Sequence, residues 1–312
     1  MGPDLADVKG QPQARRALEI AAAGGHNLLL VGPPGTGKTM LAARLSGLMP
    51  PLSRQTALDV ASIHSLAGTA LECSNWRRHP FRRPHHSASP AAMVGGGSHP
   101  RPGEISLAHG GILFLDELPE FDRRVLEALR EPIETGSITL SRVNQRVEFP
   151  ARFQLVAAMN PCPCGFWGDS HRSCQCSPLH IQRYRNKLSG PLLDRFDLLV
   201  TVNRPPTSQL LSACATENSH CVRQRVQACR ERQRHRGDTL NAQLDGDRFT
   251  DPQVVEPAAL QWLSETAEKL ALSARAFYRI LRVTRTIADL ESSDAVQHRH
   301  IKEALLYRRE GK

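Results

Sequence analysis

Apolar and polar positions change their spacing several times along the first two thirds of the chain. Nearly continuous apolar runs are typical of strands buried on both faces, and they lie at residues 28–31, 112–115, 154–159 and 198–202. Apolar positions at helical spacing predict helices at residues 13–23, 39–48 and 123–131. Strands that alternate with helices predict an α/β fold with a parallel sheet covered on both faces.

The spacing changes again in two places. Residues 137–149 alternate between polar and apolar, which predicts a β-hairpin that turns near residues 143–145. Beyond Pro205 and Pro206 no strand pattern appears. Helical patterns follow at residues 260–270, 274–290 and 294–308, the last with Asp294 as its N-cap.

These changes divide the sequence into three predicted parts. We expect an α/β domain at residues 1–205, a basic helical connector at 206–256 and a small all-helical domain at 257–312. The hairpin at 137–149 and a cysteine-rich insertion at 161–178 belong to the first part. With 312 residues, 40% of them hydrophobic, the chain can bury a sizeable core.

Composition narrows the cellular setting. No apolar run approaches the roughly 18 residues that cross a bilayer, and the N-terminus lacks a basic segment followed by an apolar one. We therefore expect a cytoplasmic protein with no membrane partner. The net charge of +9 fits a polyanionic partner, but basic composition alone supports nucleic acid only weakly.

One octapeptide carries the strongest chemical signal. Residues 32–39 match the phosphate-binding loop pattern G-x-x-x-x-G-K-[ST], between the first strand and a helix. This arrangement directs main-chain N–H groups at phosphate, lets Lys38 reach the β- and γ-phosphates and leaves the Thr39 hydroxyl for Mg²⁺. The residues expected to bind nucleotide are Gly32, Pro33, Pro34, Gly35, Thr36, Gly37, Lys38, Thr39 and Met40.

Polar residues follow two of the other predicted strands. Asp116 and Glu117 end the strand at 112–115, where Asp116 can hold Mg²⁺ and Glu117 can polarise a water for attack on the γ-phosphate. The alternative is a pair of exposed acids after a core strand. Asn160 ends the strand at 154–159 and can contact the γ-phosphate or the attacking water, although Asn before Pro is also an ordinary turn residue.

The order of four motifs along the chain resembles that of the AAA+ ATPases. These motifs are the phosphate loop, Asp116-Glu117, Asn160 and residues 192–197. Residues 81–86 and 103–111 resemble the magnesium-chelatase-like branch, the YifB/ComM family, and the resemblance covers nearly the whole chain. It implies an AAA+ P-loop fold with a parallel sheet core and a small all-helical lid, with ATP and Mg²⁺ as cofactors. It also implies a homo-oligomeric ring, expected to be a hexamer.

The resemblance assigns further roles. Arg195 matches the arginine finger that reaches a neighbouring subunit's γ-phosphate, although from the residues alone a local ion pair is the more ordinary reading. Arg275 matches the lid arginine that touches nucleotide, and Arg279 and Arg282 on the same helix compete for that role. The hairpin resembles one that faces the central pore in related rings. The segment over the adenine corresponds to Val8, Gly10 and Gln11.

Four of the eight cysteines crowd into one segment as two C-x-C pairs, Cys162 with Cys164 and Cys174 with Cys176. Four thiolates can complete a tetrahedral Zn²⁺ shell, with His171 as a substitute ligand. C-x-C is a less usual spacing than C-x₂-C, so reduced idle thiols or redox-labile pairs stay open as alternatives. A zinc ion here would brace a loop insertion.

Two basic segments are candidates for DNA contact. Residues 76–83 interleave aromatics with cations in a proline-rich loop, a composition that suits phosphate contact and base stacking. Residues 223–236 are arginine-rich, but Val222, Val226 and Cys229 form an apolar stripe, which favours the solvated face of a packed helix.

The resemblance favours an ATP-dependent motor that acts on DNA, as a helicase or in branch migration during recombination or natural transformation. The alternatives are a chelatase-type or protein-remodelling ATPase with a protein partner and a nucleotide-dependent scaffold with little turnover. Members of the family usually carry an additional N-terminal domain resembling a Lon-protease fold. We therefore expect this chain to be a fragment or a truncated product, and we expect no protease activity.

Overall fold

A computed structural model of the chain describes residues 3–69, 72, 75–97, 100–142, 145–169, 171–206, 216–237 and 239–308. The chain forms two compact units. The first consists of Met1–Leu29, Gly47–Pro50 and Phe196–Lys312, and the second of Leu30–Ser46 and Pro51–Arg195. The predicted boundaries after residues 205 and 256 remain predictions.

A five-stranded sheet contains all four of the predicted strands. Its strands are β1 Leu28–Val31, β2 Phe81–Arg82, β5 Ile112–Leu115, β8 Gln154–Met159 and β9 Leu198–Thr201. Their order is β2-β5-β8-β1-β9, and the pairs β2/β5 and β5/β8 are parallel. Strands β5 and β8 are buried along their whole length, and β1 along its first three residues, as expected for a sheet covered on both faces.

The second unit adds two small antiparallel ribbons. The predicted hairpin is present as β6, Ser137–Arg142, paired with β7, Gln145–Pro150, and its turn at 143–144 lies outside the described residues. The other ribbon pairs β3, Gly95–Gly96, with β4, Arg101–Pro102. The helices of this unit are α2 Lys38–Leu48, α3 Arg54–Leu66, α4 Pro90–Val94, α5 Glu104–Leu107, α6 Arg123–Ala128, α7 Arg130–Thr135, α8 Pro178–Arg185 and α9 Gly190–Leu193.

The predicted helix at 123–131 is two helices, because of one proline. Pro132 has no N–H to donate to the Ala128 carbonyl, and its ring would clash there, so α6 ends at Ala128. A second short helix, α7, then begins at Arg130 and takes Pro132 in its first turn, where no N–H is needed.

In the first unit, the described residues outside β9 and residues 28–29 of β1 form helices and their connections. Its helices are α1 Pro12–Gly24, α10 Ser219–Arg236, α11 Pro257–Lys269, α12 Ala274–Leu290 and α13 His298–Leu306. No helix in the described part of the chain is long and apolar enough to span a bilayer. After β9 the described residues contain no further strand, only an isolated bridge between Val255 and Val296.

The prediction that Asp294 caps the last helix is wrong. The helix begins at His298, and its N-cap is Gln297, whose main-chain N–H donates to Nδ1 of His300 at 2.9 Å. Two contacts keep the preceding residues out of the helix: Val296 takes part in the bridge to Val255, and the Asp294 carbonyl accepts from Arg285 Nη1 at 2.6 Å.

The arginine-rich helix α10 packs as its apolar stripe predicts, with Val222, Val226 and Cys229 buried. Several of its polar side chains are turned inward as well. Arg230 donates to the Ala22 carbonyl through Nε and Nη2, at 2.9 and 2.7 Å, and Gln233 Nε2 donates to the Ala23 carbonyl at 3.0 Å. These carbonyls lie in the last turn of α1, where the helix offers them no N–H donor of its own.

A buried carboxylate joins α10 to α12. Asp289 is fully buried and forms ion pairs with Arg236 and Arg285, and it accepts from Asn241 Nδ2 at 2.7 Å. Burial alone would raise the pKa of Asp289, but the two guanidinium groups hold it below its ordinary value. The ionised carboxylate is therefore part of the folded structure.

We expect Asp289→Asn to lower the free energy of unfolding by about 3 to 5 kcal/mol, because it leaves two cations without their counter-charge. Since the folded pKa is lowered, this contribution is present above the unfolded pKa and is lost as pH falls through the folded pKa. Urea unfolding monitored by circular dichroism measures the change. Asp294→Asn, at an exposed position nearby, is the control, and equal unfolding midpoints for the two variants would contradict the assignment.

Candidate nucleotide site and cysteine centre

The phosphate loop connects β1 to α2 through two glycines in the left-handed region. Gly35 has φ of +75° and Gly37 has φ of +86°, values that glycine adopts without steric cost. Thr36 Oγ1 donates to the Pro33 carbonyl at 2.9 Å and closes the loop from inside. The first N–H groups of α2 have no partner within the helix and are free to bind an anion.

The side chain of Lys38 contacts the main chain of the phosphate loop. Its ammonium donates to the carbonyls of Gly32 and Pro33, at 2.7 and 2.8 Å, and to Asn160 Oδ1 at 3.1 Å. Burial lowers the pKa of Lys38 to about 8, against the opposing effect of Asp116 and Glu117. Asn160 is thus brought into direct contact with the phosphate-loop lysine.

Asp116 contacts Thr39, the phosphate-loop residue that is expected to bind Mg²⁺. Thr39 Oγ1 donates to Asp116 Oδ2 at 2.8 Å, so a hydroxyl and a carboxylate oxygen face the same point. Hydroxyl and carboxylate oxygens are the ligands that Mg²⁺ takes beside nucleotide phosphates. The residues present therefore fit a Mg²⁺ ion that arrives with ATP.

Glu117 is held in an unusual main-chain conformation. Its φ of +55° and ψ of +49° lie in the left-handed region, which a glutamate adopts only at a cost of about 1 to 3 kcal/mol. The side chain is more than half exposed, and its Oε2 lies 3.5 Å from His86 Nδ1. The Glu117 carboxylate is therefore accessible to solvent at the end of β5.

Two residues at the site are missing from the sequence-based prediction. Arg83 Nη2 donates to Asp116 Oδ2 at 2.6 Å, and His86 lies beside Glu117. Both follow β2, the edge strand parallel to β5, so the sheet order places them next to the acidic pair. β2 is only two residues long and has no strand signature, which is why sequence analysis assigned this segment to a loop.

Two other basic residues in segment 76–83, Arg77 and Arg82, form hydrogen bonds with neighbouring parts of the fold. Arg77 Nε donates to the Leu52 carbonyl at 2.6 Å, and Arg82 forms a bidentate pair with Glu104. Trp76 and Arg78 are exposed. The segment therefore presents fewer cations to a ligand than its sequence indicates.

Arg195 forms a local ion pair, which is the alternative that its sequence context favours. Its partner in this ion pair is Glu134, which is distant in sequence. Its guanidinium donates to Glu134 and to the Pro191 carbonyl, and only 10% of its side chain is exposed.

The remaining predicted site residues belong to the first unit. Arg275 is exposed in the first turn of α12, whereas Arg279 and Arg282 donate to the carbonyls of Phe196 and Leu244, at 3.4 and 2.8 Å. Val8 is buried, and Gly10 and Gln11 both have positive φ just before α1. The nucleotide roles of Val8, Gly10, Gln11 and Arg275 remain predictions.

The four clustered cysteines converge on one point. Their Sγ atoms all lie within 4.8 Å of one another, and the separations from Cys162 to Cys164, from Cys162 to Cys174 and from Cys164 to Cys174 are 3.4, 3.6 and 3.6 Å. Ligands about 2.3 Å from a tetrahedral zinc ion are separated by about 3.8 Å, whereas a disulfide requires about 2.05 Å. The cluster can hold a metal ion, and His171 is not part of it.

Two family descriptions cover most of the chain. The family "Magnesium chelatase, subunit ChlI" matches residues 4–210, and "Magnesium chelatase, subunit ChlI C-terminal" matches residues 216–308. The chain belongs to the magnesium chelatase family. Membership in the magnesium chelatase family confirms the predicted resemblance and the fold, a P-loop sheet followed by a helical region, and it implies the use of ATP and Mg²⁺.

Individual relatives agree with the magnesium chelatase family assignment. The uncharacterized protein YifB of Salmonella typhimurium is 55% identical over 306 residues, and the competence protein ComM of Haemophilus influenzae is 51% identical over the same length. Each match covers 98% of this chain and 60% of the relative, so the chain spans about 60% of their length. The DNA replication licensing factor Mcm6 of Anopheles gambiae is 24% identical over 220 residues, 65% of this chain and 25% of that protein.

The pKa of Lys38 predicts how nucleotide affinity depends on pH. Bound polyphosphate favours the charged ammonium, so above a free-site pKa of about 8 binding must take up a proton. We expect the affinity for ATP to fall by about tenfold per pH unit above that value, as linkage to one proton requires. Titration with Mg²⁺-ATP between pH 7.5 and 9.5 measures it.

Lys38→Ala is the control for this titration: it should bind weakly and without the pH dependence, since it lacks the ammonium whose proton is linked to binding. A wild-type affinity that stays constant to pH 9.5 would show that Lys38 keeps an ordinary pKa.

Proposed function

We propose that the chain is an AAA+ ATPase module that hydrolyses ATP at subunit interfaces and uses the energy to act on DNA, as a helicase or in branch migration during recombination or natural transformation. The observation that carries the ATPase part is the pair of contacts from Lys38 to Asn160 and from Thr39 to Asp116. They bring the groups needed for phosphate, metal and γ-phosphate sensing to one edge of the sheet.

In the proposed reaction, Lys38 and main-chain N–H groups hold the phosphates, and Thr39 and Asp116 hold Mg²⁺. Glu117 orients and polarises the attacking water, and Asn160 contacts the γ-phosphate. The exposed guanidinium of Arg275 joins the nucleotide from the helical region. Arg195 stabilises the transition-state charge at a neighbouring subunit's site.

The role of Arg195 requires a change of partner. In a single chain its guanidinium is paired with Glu134. In a ring, expected to be a hexamer, it would exchange Glu134 for the γ-phosphate bound by the next subunit. A complete active site would then need two chains.

Three observations support DNA as the molecule on which the ATPase acts. The net charge is +9, one relative is named a competence protein and a distant one a DNA replication licensing factor. The exposed members of the candidate contact loop are Trp76, Arg77, Arg78 and Arg83. The alternative is a chelatase-type or protein-remodelling ATPase, favoured by the structural contacts of Arg77, Arg82 and Arg83, which leave the loop less basic.

We further propose that the four-cysteine cluster holds a structural zinc ion. The sulfur separations support a tetrahedral site, and main-chain N–H groups of Cys164 and Trp167 donate to Cys176 Sγ and Cys162 Sγ, at 3.4 and 3.3 Å. Such thiols need a reducing compartment, which favours the cytoplasm. Metal analysis of the purified protein should give one zinc ion per chain.

The experiment that tests the load is the ATPase rate with and without single-stranded, duplex and branched DNA. We expect stimulation by DNA, and we expect Glu117→Gln to lower the stimulated rate by about 100-fold or more while leaving ATP binding intact. Stimulation by a protein partner alone would favour the remodelling motor. Negligible turnover with every partner, with ATP binding intact, would favour a scaffold.

A mixing experiment tests the shared site. Arg195→Ala should be inactive by itself, because no subunit receives a finger, and activity should partly return when it is mixed with Glu117→Gln, since some interfaces then combine an intact Glu117 with an intact Arg195. The measurement is the ATPase rate across mixing ratios. Normal hydrolysis by Arg195→Ala alone would exclude the shared mechanism.

A further inference from the structure

We infer that the cysteine centre positions the nucleotide site: the turn at Gly165 supports the phosphate loop at Pro34, and closure of the four-cysteine cluster by a metal ion fixes that support together with Asn160. The affinity for nucleotide then depends on the metal ion and on the Gly165 turn. This inference rests on the nucleotide and zinc sites proposed above and assigns the insertion a function in the ATPase site.

The chain leads directly from the nucleotide site into the cysteine centre. Asn160, whose amide oxygen accepts from Lys38, is separated from Cys162 by a single proline. Cys162 is fully buried, and its carbonyl accepts from the Gly165 N–H at 3.0 Å, which closes a tight turn. A displacement of Cys162 would therefore reach Asn160 through the single intervening residue, Pro161.

The turn touches the phosphate loop. A methyl group placed on Gly165 would lie 2.6 Å from Pro34 Cδ, closer than real Cβ atoms approach, 3.2 Å from Pro34 Cγ, tighter than most such contacts, and 3.8 Å from Asn160 Cγ. Proline cannot rotate its ring away, because the ring is closed on the main chain. The backbone of the insertion thus packs directly on the loop that would cradle phosphate.

The other end of the insertion holds Asn160 from a second side. Helix α8 begins just after Cys176, with Ser177 as its N-cap. Burial raises the pKa of its Tyr184 hydroxyl to about 12, and hydrogen bonding with the main chain of Asn160 opposes that rise. Both C-x-C pairs are therefore connected to Asn160, one along the chain and one through α8.

A metal ion would lock these connections. Of the described residues between the two C-x-C pairs, only Gly165 is buried, so the segment has little apolar core of its own. A bound divalent cation would fix the distance between the two pairs, whose sulfurs lie within 4.8 Å of one another. Pro34 and Asn160 then stay where Lys38 and the phosphates need them.

The chain offers a matched pair of glycines for the test. Gly165 has φ of +85° and Gly168 has φ of +80°, so alanine costs each about the same, roughly 1 kcal/mol of backbone strain. A methyl group at Gly168 would meet no atom within 4 Å. Only Gly165→Ala presses on Pro34.

We would measure the zinc content of each variant and its affinity for a fluorescent ADP analogue in Mg²⁺. We expect Gly165→Ala to keep its zinc but bind the analogue about tenfold or more weakly, as overpacking against a rigid loop predicts, and Gly168→Ala to bind as the wild type does. Adding Pro34→Ala to Gly165→Ala removes the colliding ring and should recover part of the lost affinity.

The metal is tested by Cys174→Ser, with Cys221→Ser at an exposed helix position as the control. We expect Cys174→Ser to lose both zinc and nucleotide affinity and Cys221→Ser to keep both. Equal affinities for Gly165→Ala and Gly168→Ala would overturn the inference. Loss of zinc from Cys174→Ser with unchanged affinity would overturn its metal part, and a wild type that binds no nucleotide would instead refute the proposed function.

Discussion

The parallel alignment of β2, β5, β8 and β1 is the constraint on which the candidate site depends. Because parallel strands end at the same edge of a sheet, the order of these four strands decides which residues become neighbours. Arg83 follows β2, Asp116 follows β5, Asn160 follows β8 and the phosphate loop follows β1. Arg83 contacts Asp116, and Asp116 and Asn160 each contact the phosphate loop, although these partners are separated by 33 to 122 residues of sequence.

Much of this fold could be predicted from local pattern. Strands β1, β5 and β8 have the predicted bounds, because continuous apolar runs next to turn residues have few alternative structures. The phosphate loop and the acidic pair were identifiable because their chemistry requires fixed spacing. The convergence of the four cysteines also agrees with their spacing, although spacing cannot give the sulfur separations.

What could not be predicted depends on contacts between distant segments. Arg83 and His86 became site residues only once β2 was known to flank β5, and β2 is too short to leave a pattern. Asp294 has a good N-cap side chain, but the bridge at Val296 and the hydrogen bond from Arg285 take its main chain out of the helix. The inward arginines of α10 likewise follow from the position of the α1 C-terminus, so a net positive charge does not measure the positive surface available to a ligand.

The contacts of Lys38 and Asp116 bear on how a ligand would enter the site. The Lys38 ammonium donates to three oxygen acceptors of the chain, and Asp116 accepts from the Arg83 guanidinium and the Thr39 hydroxyl. Both charges are thus matched by groups of the protein itself. A nucleotide and its metal ion would bind by exchanging these partners, so the net binding free energy is the difference between the new contacts and the contacts that they replace.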